Sequence, residues 1–284
     1  MTALSDNVRR RLPPRSVIQG GRGNAPAMAL NDIVSGASLW RLWGQLGWND
    51  ILQRYRRSLL GPFWLTVSMA IMVIALGVLY AELFKVPVGK LMPYMSVGLL
   101  VWTLISSFLT EAGTLFTGSE SYIKQIRLPY SVYVYRSCWS KLIIFAHNAI
   151  IYFGVLLYFE IWPGTIALLA LPGLLLVALN GALMSLCIGL VSARFRDIPQ
   201  VIGSFVQIAF FVTPIFWTPD LLKGRSFALD FNPFYHLLEI VRGPMLGTVP
   251  SSENYLAVAL ITLVNAVVAG TLFIRFRARI SYWV

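Results

Sequence analysis

Charge is what this 284-residue chain has least of: only 12% of its residues are Asp, Glu, Lys or Arg, about half the ~25% of an ordinary soluble domain. Acids are scarcer than bases, 12 against 23, and there are two histidines. So few intramembrane acids and imidazoles exclude the relay that an ion-driven carrier needs. Cys138 and Cys187 form no CxxC pair, which excludes a disulfide framework and a cysteine metal site. No phosphate loop is present, because Gly89-Lys90 is followed by Leu91 rather than by Ser or Thr. HExxH, GxSxG and usefully spaced carboxylate pairs are missing as well. The sequence therefore predicts no catalytic residue, no bound cofactor and no metal. Residues 1–38 contain no apolar h-region, so no cleavable leader is expected there.

What fills the chain instead is hydrophobic sequence, 57% of it, with 13% aromatic. Six stretches approach the roughly 20 apolar residues that cross a hydrocarbon core of about 30 Å: 62–84, 93–116, 142–161, 165–193, 201–217 and 255–274. The net charge of +11 would suggest nucleic acid in a soluble protein. Here the bases stand at segment ends rather than along one solvated face, which argues against nucleic acid. With both termini on the inner side, 18 of the 23 Lys and Arg fall there, and the positive-inside rule then places both termini in the cytoplasm. The expected fold is an all-α polytopic membrane protein with six transmembrane helices. Residues 1–35 are expected to be a flexible cytoplasmic tail, 36–61 an amphipathic inner-face helix and 62–284 the transmembrane domain.

Several spans carry signals of their own. Glu111 lies near the inner end of span two, where it is either functional or a helix-paired carboxylate. His147 and Asn148 in span three are expected to make a polar contact within the bundle. Pro172 and Gly173 either kink span four or mark a short interfacial stretch ahead of it. Span five is short and closes in Thr213-Pro214-Ile215-Phe216-Trp217-Thr218-Pro219, so the chain is not expected simply to leave the membrane. In the outer segment that follows, Asn232-Pro233 reads as an N-cap and a first helical residue. Phe234, Leu237, Leu238, Val241 and Met245 then make one apolar stripe, with His236, Glu239 and Arg242 on the other side. The spacing predicts a helix too short to span, re-entrant or lying in the outer interface between spans five and six.

On the inner side, Leu39, Leu42, Trp43 and Leu46 keep helical spacing, and Trp48, Ile51, Leu52 and Tyr55 repeat it nine residues later. Nine residues is half a turn out of phase, so a bend at Gly44 and Gly47 is expected to reconcile the two stripes. With Arg54, Arg56 and Arg57 alongside, the segment reads as an amphipathic surface helix, either a lipid anchor or a docking element for a cytoplasmic partner. The loop between spans two and three, from Gly118 to Lys141, is polar, can form a short helix stopped by Pro129, and is long enough to engage another protein.

The segment Arg54-Tyr55-Arg56-Arg57-Ser58-Leu59-Leu60-Gly61-Pro62-Phe63-Trp64, together with Ile123-Lys124-Gln125-Ile126-Arg127-Leu128-Pro129, Ala193-Arg194-Phe195-Arg196-Asp197-Ile198, and Asn232-Pro233-Phe234 followed by Arg242, resembles the permease subunit of ABC-2 type exporters. The likeness is to the group that exports O-antigen, capsule or teichoic acid chains, and it covers about residues 36–284. It implies a pore made with a second copy of the chain and two separately encoded ATP-binding cassette subunits that hold ATP and Mg. It further implies a lipid-linked glycan moved outward across the bacterial inner membrane.

On that resemblance, Arg54, Arg56, Arg57, Glu120, Tyr122, Lys124 and Arg127 are the candidates for coupling to the ATPase. Arg194, Arg196 and Asp197 either join them or fix orientation. Asn232, Pro233, Phe234, His236, Glu239 and Arg242 are the candidates for an outer gate. A hydrated glycan needs flat apolar faces for stacking. Tyr55, Trp64, Phe205, Phe210, Phe211, Phe216 and Trp217 either supply such a lining or belong to interfacial aromatic belts. The rival readings are an ABC-2 permease for drugs or small lipids and a polytopic membrane transferase; the transferase would need clustered acids or histidines at one face.

Overall fold

The computed structural model describes residues 24–54, 56, 63–219 and 227–284. Tyr55, Arg57 and the Gly61–Pro62 entrance to the first span lie outside the described residues. The helices, in chain order, are α1 (Ala25–Ser38), α2 (Trp40–Arg54), α3 (Phe63–Phe84), α4 (Val88–Ala112), α5 (Glu120–Gln125), α6 (Ser131–Tyr158), α7 (Ala170–Arg194), α8 (Ile198–Val212), α9 (Phe227–Asp230), α10 (Pro233–Met245), α11 (Ser252–Phe276) and α12 (Ile280–Trp283).

Among the described residues, five helices are long and apolar enough to cross a membrane: α3, α4, α6, α7 and α11. α4 is the hub, apolar all round and buried for most of its length by α3, α6, α7, α8 and α10. α3 and α11 stand at the periphery, with Leu79, Leu83, Leu256, Leu260 and Leu263 exposed along their outer faces. Apolar faces of that extent fit hydrocarbon rather than water.

The segment expected as span five is different. α8 has 15 residues, about 22 Å at 1.5 Å per residue, short of the ~30 Å core. It is followed by the non-helical stretch Thr213–Trp217, in which Thr213, Ile215 and Phe216 are buried.

Four sequence expectations are corrected. Residues 25–35, expected in a flexible tail, belong to α1, and Asp32 in that helix is fully buried. No bend occurs at Gly44 or Gly47: α2 runs straight through both, and the break falls at Leu39. The reason is close packing on α6. A Cβ at Gly47 would lie 2.9 Å from the Arg136 carbonyl oxygen, and Ser140 Oγ donates to the Gly47 carbonyl at 3.0 Å. The first apolar stripe therefore faces the bundle, while among the described residues of the second Trp48 and Leu52 are exposed and Ile51 turns inward.

The third correction concerns span three, whose helix begins at Ser131 rather than near 142. Its first amide groups are satisfied from a distance. The Asp32 carboxylate accepts from Tyr130 N at 3.2 Å and Ser131 N at 3.0 Å, the role an N-cap side chain usually plays locally. Arg136 and Lys141, expected in a loop, are thereby inside the helix. The fourth is the interval between the first two apolar stretches, 85–92, which is reduced to residues 85–87. Lys85 takes a left-handed φ of 55°, and Val86 N donates back to Ala81 O at 3.1 Å, the six-to-one bond of a Schellman closure. Glu160 (φ 53°) with Ile161 N to Leu156 O at 3.0 Å ends α6 by the same device.

Other expectations have mixed outcomes. Pro172 and Gly173 fall in the first turn of α7 after a 3₁₀ stretch, Gly164–Leu169. Gly173 is there because α10 passes so near that a Cβ would meet the Ile240 carbonyl oxygen at 2.4 Å. His147 bonds back to Ile143 O at 2.9 Å, and Asn148 Oδ1 is buried without a partner. α7 and α11 are joined instead by Asn180, which donates to Thr262 Oγ1 at 2.8 Å and accepts from Asn265 at 2.8 Å.

Candidate functional site

Polar chemistry gathers at the two ends of the bundle. At the Arg-rich end, α2 lies along α6, and Trp43 packs its ring against Tyr135 and Trp139. Asp50 of α2 takes both Nε (2.6 Å) and Nη2 of Arg136, a two-point grip on a planar fork. Four residues on, Arg54 reaches Glu111 of α4 at 3.1 Å. The other Glu111 oxygen accepts from Lys141 of α6, also at 3.1 Å. Glu111 is thus a helix-paired carboxylate that ties α2, α4 and α6 together. Lys141 is 2% exposed, and its ammonium also donates to Ser137 Oγ at 2.6 Å. Beside these groups opens a cavity of about 560 Å³, lined among others by Asp50, Arg54, Glu111, Tyr133, Arg136 and Lys141. Tyr133 Oη and Arg136 Nη1 are buried with no hydrogen-bond partner.

The short helix expected between spans two and three is α5. Ile123 anchors it by burial, while Glu120, Tyr122, Lys124 and Arg127 are exposed. Tyr122 lies 5.7 Å from the Arg136 guanidinium. Lys124 bonds to Glu120 at 2.5 Å and, with a smaller contribution from Arg196, holds that carboxyl below its ordinary range. The α5 helix and the exposed turn Arg194–Asp197 are therefore neighbours at one end. Arg194 is further stacked over Trp283 of α12 at 5.6 Å. Arg56 is exposed directly after α2. Of the coupling candidates only Arg57 falls outside the described residues.

Sequence reasoning missed the third element of this end. Asp32 also pairs with Arg277 at 2.7 Å, and its backbone carbonyl accepts from Ser131 Oγ at 2.7 Å. One carboxylate therefore joins α1, the start of α6 and the end of α11. No local pattern announces a bond across 245 residues.

The opposite end is built around α10. Asn232 caps it as the sequence predicts, its Oδ1 accepting from Phe234 N at 3.0 Å and Tyr235 N at 3.3 Å, and its amide donating to Thr213 Oγ1 at 3.1 Å. The apolar stripe is buried, but so is the polar side. His236 meets Asn254 Oδ1 at 2.8 Å and Asp230 O at 3.0 Å. Arg242 is 1% exposed, pairs with Glu239 and donates to Pro214 O at 2.6 Å. Its guanidinium lies 3.9 Å from the centre of the Tyr94 ring, within cation–π range. Tyr94 Oη donates to the same carbonyl at 3.2 Å. Two donors thus serve the backbone just beyond α8, where unpaired groups would be costly at membrane depth.

The aromatic candidates do not form one surface. Phe216 is packed in the core, stacked on Tyr80 with centroids 5.2 Å apart and edge-on to Phe210 at 4.8 Å. Phe205 and Phe210 meet Phe234 and Trp102, two rings that link α8 to α10 and α4. Phe205, Phe211 and Trp64 are exposed, while Phe210 and Trp217 are half-buried.

Residues 41–246 match the family described as ABC-2 type transporter. The chain is also similar to an O-antigen export system permease protein of Myxococcus xanthus, 20% identical over 79% of this chain and 88% of that protein. A second protein of the same description, from Klebsiella pneumoniae, is 19% identical over 66% of this chain and 74% of its own length.

Proposed function

The chain belongs to the ABC-2 type transporter family, and from that premise we propose that it is the permease subunit of an ATP-driven exporter of a lipid-linked polysaccharide. The family makes it a transport subunit of a membrane rather than an enzyme. The two similar O-antigen export permeases support the finer reading of the cargo. In this reading two copies form the passage, two separate ATP-binding cassette subunits supply the energy, and the Arg-rich end faces the cytoplasm of a bacterial inner membrane. The first, second, third, fourth and last apolar helices cross fully. α8 crosses as a short fifth span, and the Thr213–Trp217 stretch and α10 re-enter from the outer side.

The observation that carries the coupling assignment is the union of α5, the 194–197 turn and α2 at one end, with Glu111 bridging α2 to α4 and α6 through Arg54 and Lys141. A push on α2 reaches the central helix α4 through charged hydrogen bonds, and α5 meets the same set through Tyr122 beside the Arg136 guanidinium. Glu120, Tyr122, Lys124 and Arg127 present the contact face, and Arg54, Arg56, Arg194, Arg196 and Asp197 surround it. The exposed face of α8, with Val201, Phe205, Ile208 and Phe211, faces the second copy and lines the route with Trp64, Phe210 and Trp217. Asn232, Pro233, Phe234, His236, Glu239 and Arg242 close it on the outer side.

The test is copurification and export in the native host. Replacing Glu120, Lys124 and Arg127 by Ala leaves the chain inserted but loses the ATPase, and surface glycan falls with it. Full ATPase recovery with the triple variant refutes the docking face. Normal surface glycan after deletion of the gene refutes the cargo.

A further inference from the structure

α5 has six residues, far fewer than the roughly 12–15 that an isolated helix needs to persist in water. Its position must therefore come from packing. Ser121, Tyr122, Lys124 and Gln125 are exposed along it, and Ile123 is its one side chain buried from solvent. Whatever Ile123 rests on sets where the helix sits. Among the described residues, and apart from the 3₁₀ turn Thr117–Ser119 directly before it, α5 packs most on α12. Ile123, Ile280 and Val284 lie in one buried apolar cluster with Leu190 and Ala193 of α7 and Phe273 of α11. Ile280 is fully buried, although its own helix has only four residues. α12 is in turn fastened on two sides. Just before it, Arg277 pairs with the buried Asp32 at 2.7 Å. Within it, the Trp283 ring lies 5.6 Å from the Arg194 guanidinium and 5.6 Å from the Phe276 ring. A packed apolar contact of this kind moves as one piece, because interiors are close-packed and resist compression.

We propose that α12 is the support that positions α5 for coupling, with Ile280 as the positioning residue beneath Ile123. The inference rests on the reading of α5 as the ATPase docking helix. Ile280 is enclosed, so it acts on docking only through α5. Force applied at α5 then bears on the ends of α7 and α11 through apolar packing, beside the charged set that joins α2 to α4 and α6.

The experiment uses the full chain in detergent, with Cys138 and Cys187 replaced by Ser and a nitroxide on Gln125→Cys, an exposed α5 position outside the docking face. The readouts are the nitroxide spectrum of the chain alone, its melting temperature, and its affinity for the ATPase that copurifies with the wild-type chain. Ile280→Ala leaves a cavity beneath Ile123. The spectrum gains a mobile component, and the apparent dissociation constant for the ATPase rises about tenfold as the docking-competent fraction of α5 falls. Ile280→Leu keeps the volume and holds both readouts at wild type. Leu238→Ala opens a similar cavity in α10 at the opposite end, where Leu238 is fully buried. It lowers the melting temperature as much as Ile280→Ala does and leaves the α5 spectrum unchanged. Should Ile280→Ala not be recovered, Ile280→Val gives a smaller change in the same direction. An unmoved spectrum in the Ala or Val variant, an equal change in Leu238→Ala, or the same change in Ile280→Leu overturns the proposal. A mobile α5 with unchanged ATPase affinity upholds α12 as the support of α5 and refutes the docking reading instead, so the two fail separately.

Discussion

Among the described residues each end of the bundle buries one cation, and the two are treated in opposite ways. Arg242 is enclosed by Glu239, the Pro214 carbonyl and the Tyr94 ring, all within a small region between α10, the end of α8 and the start of α4. Lys141 is as deeply buried, but its counter-charge Glu111 is 40% exposed and shared with Arg54, and an open cavity lies alongside. The first arrangement is saturated and resists displacement. The second keeps its connections beside an open cavity, so its ion pair is only partly shielded from solvent.

The contrast is broken most severely by Arg242→Met. That change leaves Glu239 without its partner and Pro214 O with Tyr94 Oη as its remaining donor, and losing one side of a buried pair costs about 3–5 kcal/mol. The variant is expected to show a large drop in melting temperature and poor recovery from membranes; wild-type stability would mean that the cap is not saturated. Asp32→Ala comes next, at roughly 2–3 kcal/mol, because two amide groups at the start of α6 and the Arg277 guanidinium lose their acceptor together. Chemical denaturation of the purified chain would measure it, and proteolysis near residue 130 should accelerate. Gly47→Ala forces a Cβ against the Arg136 carbonyl and is expected to cost about 1–3 kcal/mol. The diagnostic result is a weakened α2–α6 cross-link between engineered cysteines, with the α10 end unaffected. Glu111→Gln costs least, about 1–2 kcal/mol, since the carboxylate is already half in solvent. Adding Lys141→Met should recover most of that loss. An effect equal to that of Arg242→Met would erase the distinction between the two ends.

The long apolar helices were legible because their signal is local: composition over some twenty residues decides whether a segment can cross. The Asn232–Pro233 cap was legible for the same reason, since donor and acceptor lie within three residues. What the sequence hid was every feature made between distant residues. The start of α6 depends on Asp32, so the helix extends through residues that read as a polar loop. α2 runs on through its glycines, and Gly47, which suggests a bend, instead lets a carbonyl of α6 come close. Two helix endings were hidden for another reason. Lys85 and Glu160 occupy left-handed positions where glycine is the usual marker.

The bond set around Asp32 carries a consequence for the order in which the protein is made. The amides that Asp32 receives are synthesised 98 and 99 residues after it, and Arg277 245 residues after it. The first two partners can meet as soon as α6 is made, whereas the counter-ion arrives only with the helix that carries Arg277. The junction of α1, α6 and α11 is therefore closed in two steps, amides first and charge second.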